Sequence, residues 1–412
     1  MSSILIWVIS LASIALMLVR PRGLPEWVWI GGGAVLLVAT RLLPLGGALH
    51  AIREGVDVYL FLTGMMLLAE LAREEGVFDW VADLAVHHAQ SSASRLFLWV
   101  YGVGVAVTAL LSNDATAVVL TPAVLAAVRR AKVNPRPHLL ACALVANAAS
   151  FLLPIANPAN LVVYGTQLPR LGVWMRMFLL PSLAAMVATF ACLRWLTRRE
   201  LASEAAEVGE PYRMQSAGWL ALAGIGIAAA GLLVASAMDL PLGAPTFGAG
   251  IVALLLVATR DRNAPKNAVR NVAWGVLPLV AGLFMLVEAL NRAGMMRLTK
   301  AALAWLAAAP DGVGKFCGGF GIAVLCNLMN NLPAGLAAGT GLQQMGQHGL
   351  LAHAVLIGVD LGPNLSVTGS LATILWLIAL RREKAEITGW EFLKIGIVAM
   401  PVALGLALLA LF

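Results

Sequence analysis

Long apolar runs alternate with short polar stretches along the whole chain. A helix needs about 20 mostly apolar residues to cross a bilayer core. Candidate runs are Ile4–Val19, Trp27–Leu43, Val56–Leu71, His138–Ile155 with its extension, and Val173–Leu196. A polar linker, Thr197–Gln215, follows, and the pattern resumes with Ala217–Ala237, Thr246–Ala258, Trp274–Leu290, Leu351–Leu380 and Phe392–Phe412. Two other runs, Leu96–Val128 and Gly312–Met345, are interrupted midway, the first by Ser112, Asn113 and Asp114, the second by Asn327, Asn330 and Asn331. A polar tip between two arms, each short for a full span, predicts a re-entrant hairpin. Irregular backbone at membrane depth survives only where protein or a wet cavity surrounds it.

The pattern predicts an all-α polytopic membrane protein of roughly ten transmembrane helices, built as an inverted repeat with two re-entrant hairpins and two broken helices. The first repeat is expected over 1–196: three helices, hairpin 95–131, broken helix 137–165 and a closing helix. The linker 197–215 is expected in the cytoplasm. The second repeat, 216–412, repeats the order with hairpin 312–345 and broken helix 349–380. With the linker inside, most of the 28 Lys and Arg residues fall on the cytoplasmic side, among them Arg129, Arg130, Arg198, Arg199, Arg262, Lys266 and Arg381. That asymmetry matches the positive-inside rule. The two hairpins then enter from opposite sides.

Composition agrees: 60% of the 412 residues are hydrophobic and 12% charged, about half the charge of an ordinary soluble domain. The net charge of +7 is spread in short clusters between apolar runs, a topology signal and not a nucleic-acid footprint. The four cysteines, Cys142, Cys192, Cys317 and Cys326, lie in apolar segments with no paired spacing, so neither a disulfide framework nor a zinc site is expected. The N-terminal run lacks a basic lead-in and reads as a retained helix. Gly314-Lys315 is followed by Phe316, so the chain has no phosphate-binding loop of its own. No cofactor is expected. No nucleophile–base pair or metal-protease spacing argues for an enzyme.

Four polar clusters interrupt apolar sequence, two in each half. They span 111–116, 154–160, 326–333 and 360–370. Pro158 and Pro363 lack a donor N–H and should break their helices. Asparagine suits such breaks because its amide donates and accepts without charge. The expected substrate contacts are Ser112, Asn113, Thr116, Asn157, Asn160, Asn327, Asn330, Asn331, Asn364, Ser366 and Thr368. Capping of broken helix ends accounts for part of this set. Asp114 and Asp360 are the carboxylates placed to carry a proton, since an intramembrane carboxylate without a partner is costly to keep charged. The competing role is a capping Asp at a half-helix N-terminus. Glu288 with Arg292, Asp57 with Arg53, and Glu70 with Arg73 are expected as ion pairs along helix faces. The six histidines, His348 among them, show no metal-binding spacing. Cys326 is expected to pack, with a soft contact to a metalloid as the alternative.

These clusters resemble the arsenite permease family of the ArsB type, within the ion-transporter superfamily. The strongest match is Val359–Leu377, VDLGPNLSVTGSLATILWL; Asn113–Pro122, NDATAVVLTP, and Met329–Pro333, MNNLP, resemble the family's hairpin tips. Two features depart: Asn147 stands where many relatives carry Asp, and the first break reads Asn157-Pro-Ala-Asn-Leu161. The resemblance implies export of arsenite or antimonite across the plasma membrane in exchange for protons, with elevator-like motion of hairpins and broken helices. A site rich in amides and hydroxyls, with no arginine in any cluster, suits a neutral metalloid hydroxide. The residues leave two alternatives open. One is a sodium/proton antiporter. The other is a channel subunit docked to a soluble arsenite-stimulated ATPase through Thr197–Gln215 or Arg260–Arg270. A homo-oligomer also stays open.

Overall fold

The computed structural model of the chain describes residues 2–202, 212–238, 240–347, 349–385 and 387–411. Most of the linker's centre, 203–211, and His348 therefore lie outside the described residues. The fold is all-helical. The first half contains α1 (Ser2–Val19), α2 (Glu26–Ala39), α3 (Leu45–Glu54), α4 (Val56–Glu74), α5 (Val77–His88) and α6 (Ala93–Leu110). It continues through α7 (Asn113–Ala115), a π turn at Thr116–Leu120, α8 (Thr121–Arg130), α9 (Pro135–Ala148), α10 (Pro158–Tyr164) and α11 (Leu171–Leu196). The second half contains α12 (Ser216–Ala237), α13 (Gly243–Ala258), α14 (Ala264–Asn271), α15 (Val276–Arg292) and α16 (Met295–Ala308). It ends with α17 (Asp311–Met329), α18 (Asn331–Gln344), α19 (Leu350–Leu361), α20 (Leu371–Arg382) and α21 (Gly389–Leu409).

Helices α6, α11, α12, α17 and α21 are each long and apolar enough to cross a bilayer alone. Their outward faces present Leu98, Val187, Ile227, Leu328 and Leu406, all exposed, as lipid requires. The protein is a multi-pass membrane protein.

Two features differ from the hydropathy pattern. The first arms of the hairpins are not half-length: α6 has 18 residues and α17 has 19, a rise of about 27 Å or more. Ser92 extends α6 backwards by capping it, accepting from Arg95 N at 3.4 Å. Lys315 is tolerated in α17 because its Nζ donates to Leu411 O at 2.9 Å. The pattern also passed over α3, α5, α14 and α16, which are short or two-faced. Among the expected ion pairs, Glu70–Arg73 and Glu288–Arg292 both form, at 2.7 Å. Asp57 is a correction: its Oδ1 accepts from Gly243 N at 2.8 Å and so holds the start of α13. Arg53 lies in α3, bent by 49° from α4, so the two residues do not share a helix face, and the backbone donor at the start of α13 takes the carboxylate instead.

The hairpins and broken helices form the centre: α17 packs on α19, α10 on α18, α6 on α9, and α11 on α21. Helices α1, α2 and α15 make a second cluster around Ile30, Leu37, Leu283 and Leu286. One end of the bundle is basic. There Arg129 Nη2 donates to Glu383 O at 2.8 Å, and Arg130 Nη2 lies 3.0 Å from Asp83 Oδ1. Arg136 pairs with Glu200 at the same end.

Candidate functional site

Both breaks sit where the sequence puts proline. Pro158 occupies the first turn of α10, and Pro363 lies in a 3-10 turn, Gly362–Asn364. The freed backbone groups are satisfied by side chains. Asn160 Nδ2 donates to Ser150 O at 2.9 Å, and Trp174 Nε1 to Phe151 O at 3.1 Å. Asn327 Nδ2 donates to Ala323 O and Gly362 O at 2.7 and 2.8 Å, which ties the second hairpin to the second break. Ser366 donates to Asn327 Oδ1 at 2.6 Å and Thr368 to Asn327 O at 3.0 Å. These bonds hold irregular backbone that would otherwise carry unpaired polar groups in a dry interior.

The two broken helices are also cross-linked. Asn147 and Asp360 are the penultimate residues of α9 and α19. Asn147 Nδ2 donates to Asn364 Oδ1 at 2.9 Å, while Asn157 Nδ2 donates to Asp360 Oδ1 at 2.7 Å. Each first half-helix thus bonds to the break of the other half. Asn157 does double duty, accepting from Ala159 N at 3.0 Å as the N-cap of α10. Asp360 is fully buried, with the Asn157 amide and the Ser150 side chain as its polar neighbours.

The hairpin tips meet the breaks in a small crevice. It is lined by Asn113 and Asp114 from the first tip, Asn157 and Pro158 from the first break, Asn331 and Leu332 from the second tip, and Ser370 and Leu371 from the second break. All four polar clusters therefore contribute to one place. Asp114 also lines a larger cavity of about 260 Å³. The walls of that cavity come from α4 (Phe61, Leu62, Met65, Met66), the π turn (Val118, Val119) and α20 (Leu375, Ile378). It runs from Glu70, Asn271 and Ala379, near the basic end, to Ser112, Asp114 and Pro158 at depth. Its lining contains two carboxylates and no Lys or Arg.

Other expected contacts lie behind the crevice. Thr116 is fully buried and bonds Thr108 at 2.8 Å; Ser112 lines the larger cavity and caps α7, accepting from Ala115 N at 3.1 Å. Asn330, at φ 76°, caps α18 by accepting from Leu332 N at 3.3 Å. Asn364 donates to Leu144 O at 3.1 Å. Asn160, Asn327, Ser366 and Thr368 serve the backbone as described above. Cys326 is buried against Val359 O. The apolar wall from α4 and α20 carries no polar signal and was not legible as part of a site. Ser370 was, in principle: its Ser-x-x-Thr spacing is a capping box, formed with Thr373.

The opposite side of the crevice is closed by a seam between α10 and α18. A Cβ at Gly339 would lie 2.5 Å from Val163 O, so only glycine allows this approach. Gln343 Nε2 closes the seam further, donating to Val163 O at 3.1 Å.

Comparison with known proteins agrees with this architecture. The chain is similar to the arsenical pump membrane protein of Yersinia enterocolitica, 28% identical over 93% of this chain and 92% of the relative. The protein of the same name from Escherichia coli K12 is 27% identical over 95% and 94%. Among solved structures, the Alcanivorax borkumensis YdaH transporter matches with a TM-score of 0.59 at 17% identity, over 88% of this chain and 86% of that one. Neisseria gonorrhoeae MtrF, described with a class of antimetabolite efflux pumps, matches at 0.52 and 13% identity, over 91% and 84%. These two likenesses concern the fold alone. A family model described as citrate transporter, CitMHS, matches residues 4–359, most of the chain, and the protein therefore belongs to that family of membrane transporters.

Proposed function

We propose that the protein exports arsenite or antimonite across the cytoplasmic membrane in exchange for protons. The observation that carries this reading is the site: amides and hydroxyls from four helix breaks meet Asp114, beside a cavity without a basic side chain. A citrate or other polyanion would find no Lys or Arg in the cavity lining to offset its charge, and Arg73 behind the wall is already paired with Glu70. A neutral metalloid hydroxide pays no such penalty. Its hydroxyls can donate to Asn113, Asn157 and Asn331 and accept from their amides. The names of the relatives support the same cargo. Asp114 and Asp360 are the proposed proton carriers, Asp114 facing the cavity and Asp360 coupled to the first break through Asn157. Thr116, Asn160, Asn327, Asn330, Asn364, Ser366 and Thr368 act by shaping the backbone around the cargo.

Residues 1–196 and 216–412 act in this reading as inverted repeats. Asn147 and Asp360 hold equivalent positions, and each is followed ten residues later by the N-cap of the next half-helix, Asn157 or Ser370. With the basic end in the cytoplasm, the cavity faces inward and the α10–α18 seam is the exterior closure.

The test is arsenite uptake into everted membrane vesicles with an acidic lumen, with and without sodium and ATP. Uptake that follows the pH gradient, needs neither sodium nor ATP, and is inhibited by antimonite is expected. No arsenite uptake, with collapse of the gradient on adding sodium, would replace this reading with a cation antiporter. Strict ATP dependence would replace it with a pump subunit.

A further inference from the structure

Helix α14 follows α13 at the basic end and leads into α15, the two together, Ala264–Arg292, being long and apolar enough to cross a bilayer. Its inner face is two alanines, Ala264 and Ala268, both fully buried, and it packs against α4. Its outer face, with the turn before it, carries Arg260, Arg262, Lys266 and Arg270, all exposed. Lys266 and Arg270 are spaced by four residues and so share one face of α14, and Arg262 stands in the bend just before the helix. Asp261 is the single acid between 260 and 270, and its Oδ1 is engaged by Asn263 N at 2.8 Å. Among the described residues, no ion pair neutralises any of the four cations. Beside the cations stand exposed apolar groups, Val269 and Trp274, and Trp27 of α2 lies next to Gly275. Trp274 Nε1 is satisfied by Val269 O at 2.8 Å, which leaves its ring free for an apolar neighbour.

Unpaired cations and tryptophans at the end of a membrane span are the arrangement that meets anionic headgroups at the bilayer interface. We propose that α14 and its flanking turn bind the anionic phospholipid headgroups of the leaflet at the basic end, and that this contact sets the rate of the transport cycle. The link to transport is direct. Asn271 at the end of α14, Ala273 in the turn and Val276 at the start of α15 line the cavity, so headgroups that pull on α14 act on the wall of the cargo's entrance. Lipid is favoured over a docked soluble protein because cations and apolar rings occupy one surface at membrane depth. An acidic protein partner would need the cations but not the rings.

The experiment uses the full chain reconstituted in vesicles of phosphatidylcholine alone or mixed with phosphatidylglycerol. Lipid retained after detergent extraction is read by mass spectrometry, independently of cargo. Wild type is expected to retain phosphatidylglycerol in preference and to transport several-fold faster in the mixed vesicles, with the gain shrinking at high salt. R262Q/K266Q/R270Q should keep the rate seen in phosphatidylcholine but lose both the preference and the gain. R198Q/R199Q, which removes exposed charge at the same end, should keep both. Retained preference and gain in R262Q/K266Q/R270Q would overturn the proposal. So would an unchanged lipid response in that variant together with lost resistance in cells, which would point to a protein partner. Loss of transport in every vesicle with lipid preference intact would count against the transport reading and leave the lipid site standing.

Discussion

The Asn157–Asp360 bond joins two half-helices from opposite halves of the chain, so its removal should be felt in both stability and transport. Asn157→Ala deletes two interactions, the 2.7 Å bond to Asp360 and the N-cap of α10. A hydrogen bond to a charged group contributes about 1.5–3 kcal/mol and an N-cap about 1 kcal/mol. The expected loss is therefore about 2.5–4 kcal/mol, at the upper end if the carboxylate stays charged. Asp360→Ala removes the same bond from the other side but also removes the buried carboxyl, so its cost is smaller. The double variant isolates the pair: the two single losses should exceed the double loss by about 1.5–3 kcal/mol. Unfolding in mixed detergent micelles gives the four stabilities of the cycle. Asp360→Asn is the internal control, because its amide oxygen still accepts from Asn157 while the ionisable group is gone. It should fold like wild type and lose pH-driven exchange. Additivity within about 0.5 kcal/mol would refute the view that this bond ties the breaks together. PH-driven transport in Asp360→Asn at the wild-type rate would refute its proton role.

Asp114→Asn should abolish pH-driven arsenite uptake yet retain exchange of labelled for unlabelled arsenite, since the amide still faces the cargo; loss of both would make Asp114 a binding residue only. Gly339→Val should force α10 and α18 apart, lowering stability by about 1–3 kcal/mol, and a cysteine-accessibility probe at the seam should report opening towards the exterior. Asp83→Ala should cost about 1–3 kcal/mol and raise protease sensitivity in the linker, because Asp83 Oδ2 accepts from Tyr212 N at 2.8 Å and Oδ1 faces Arg130. Glu288→Gln should change stability by less than about 0.5 kcal/mol, since its pair with Arg292 is partly exposed.

Much of the site was legible because its signals are local. A proline inside a polar cluster of an apolar run marks a break, as Pro158 and Pro363 do, whereas Pro181 and Pro401, with apolar neighbours, lie within continuous helices. An Asn-Asp pair at a hydrophobic midpoint predicts a hairpin tip, and Asn113 and Asp114 stand at one. The pairings were not legible. Nothing near Asp57 announces Gly243, 186 residues away, and nothing near Asn157 announces Asp360, 203 residues away. The wall of the cavity was hidden for a different reason. Phe61, Met65 and Leu375 look like any lipid-facing or core residue, because membrane and protein interior are equally apolar.

The sequence by itself determined the solvent, the long apolar helices, the places of the polar interruptions, and the residue types of the four clusters. Each of these depends on a residue and its near neighbours: hydropathy over one span, a missing N–H, an uncharged amide. Only the tertiary structure decided which polar groups face the crevice and which are consumed by the backbone. Asn113, Asn157 and Asn331 line it, while Asn160 is spent on a carbonyl of its own break and Asn327, from the second hairpin, on a carbonyl of the second break. An asparagine serves either purpose with the same atoms, and only the distance to the nearest unpaired carbonyl selects between them.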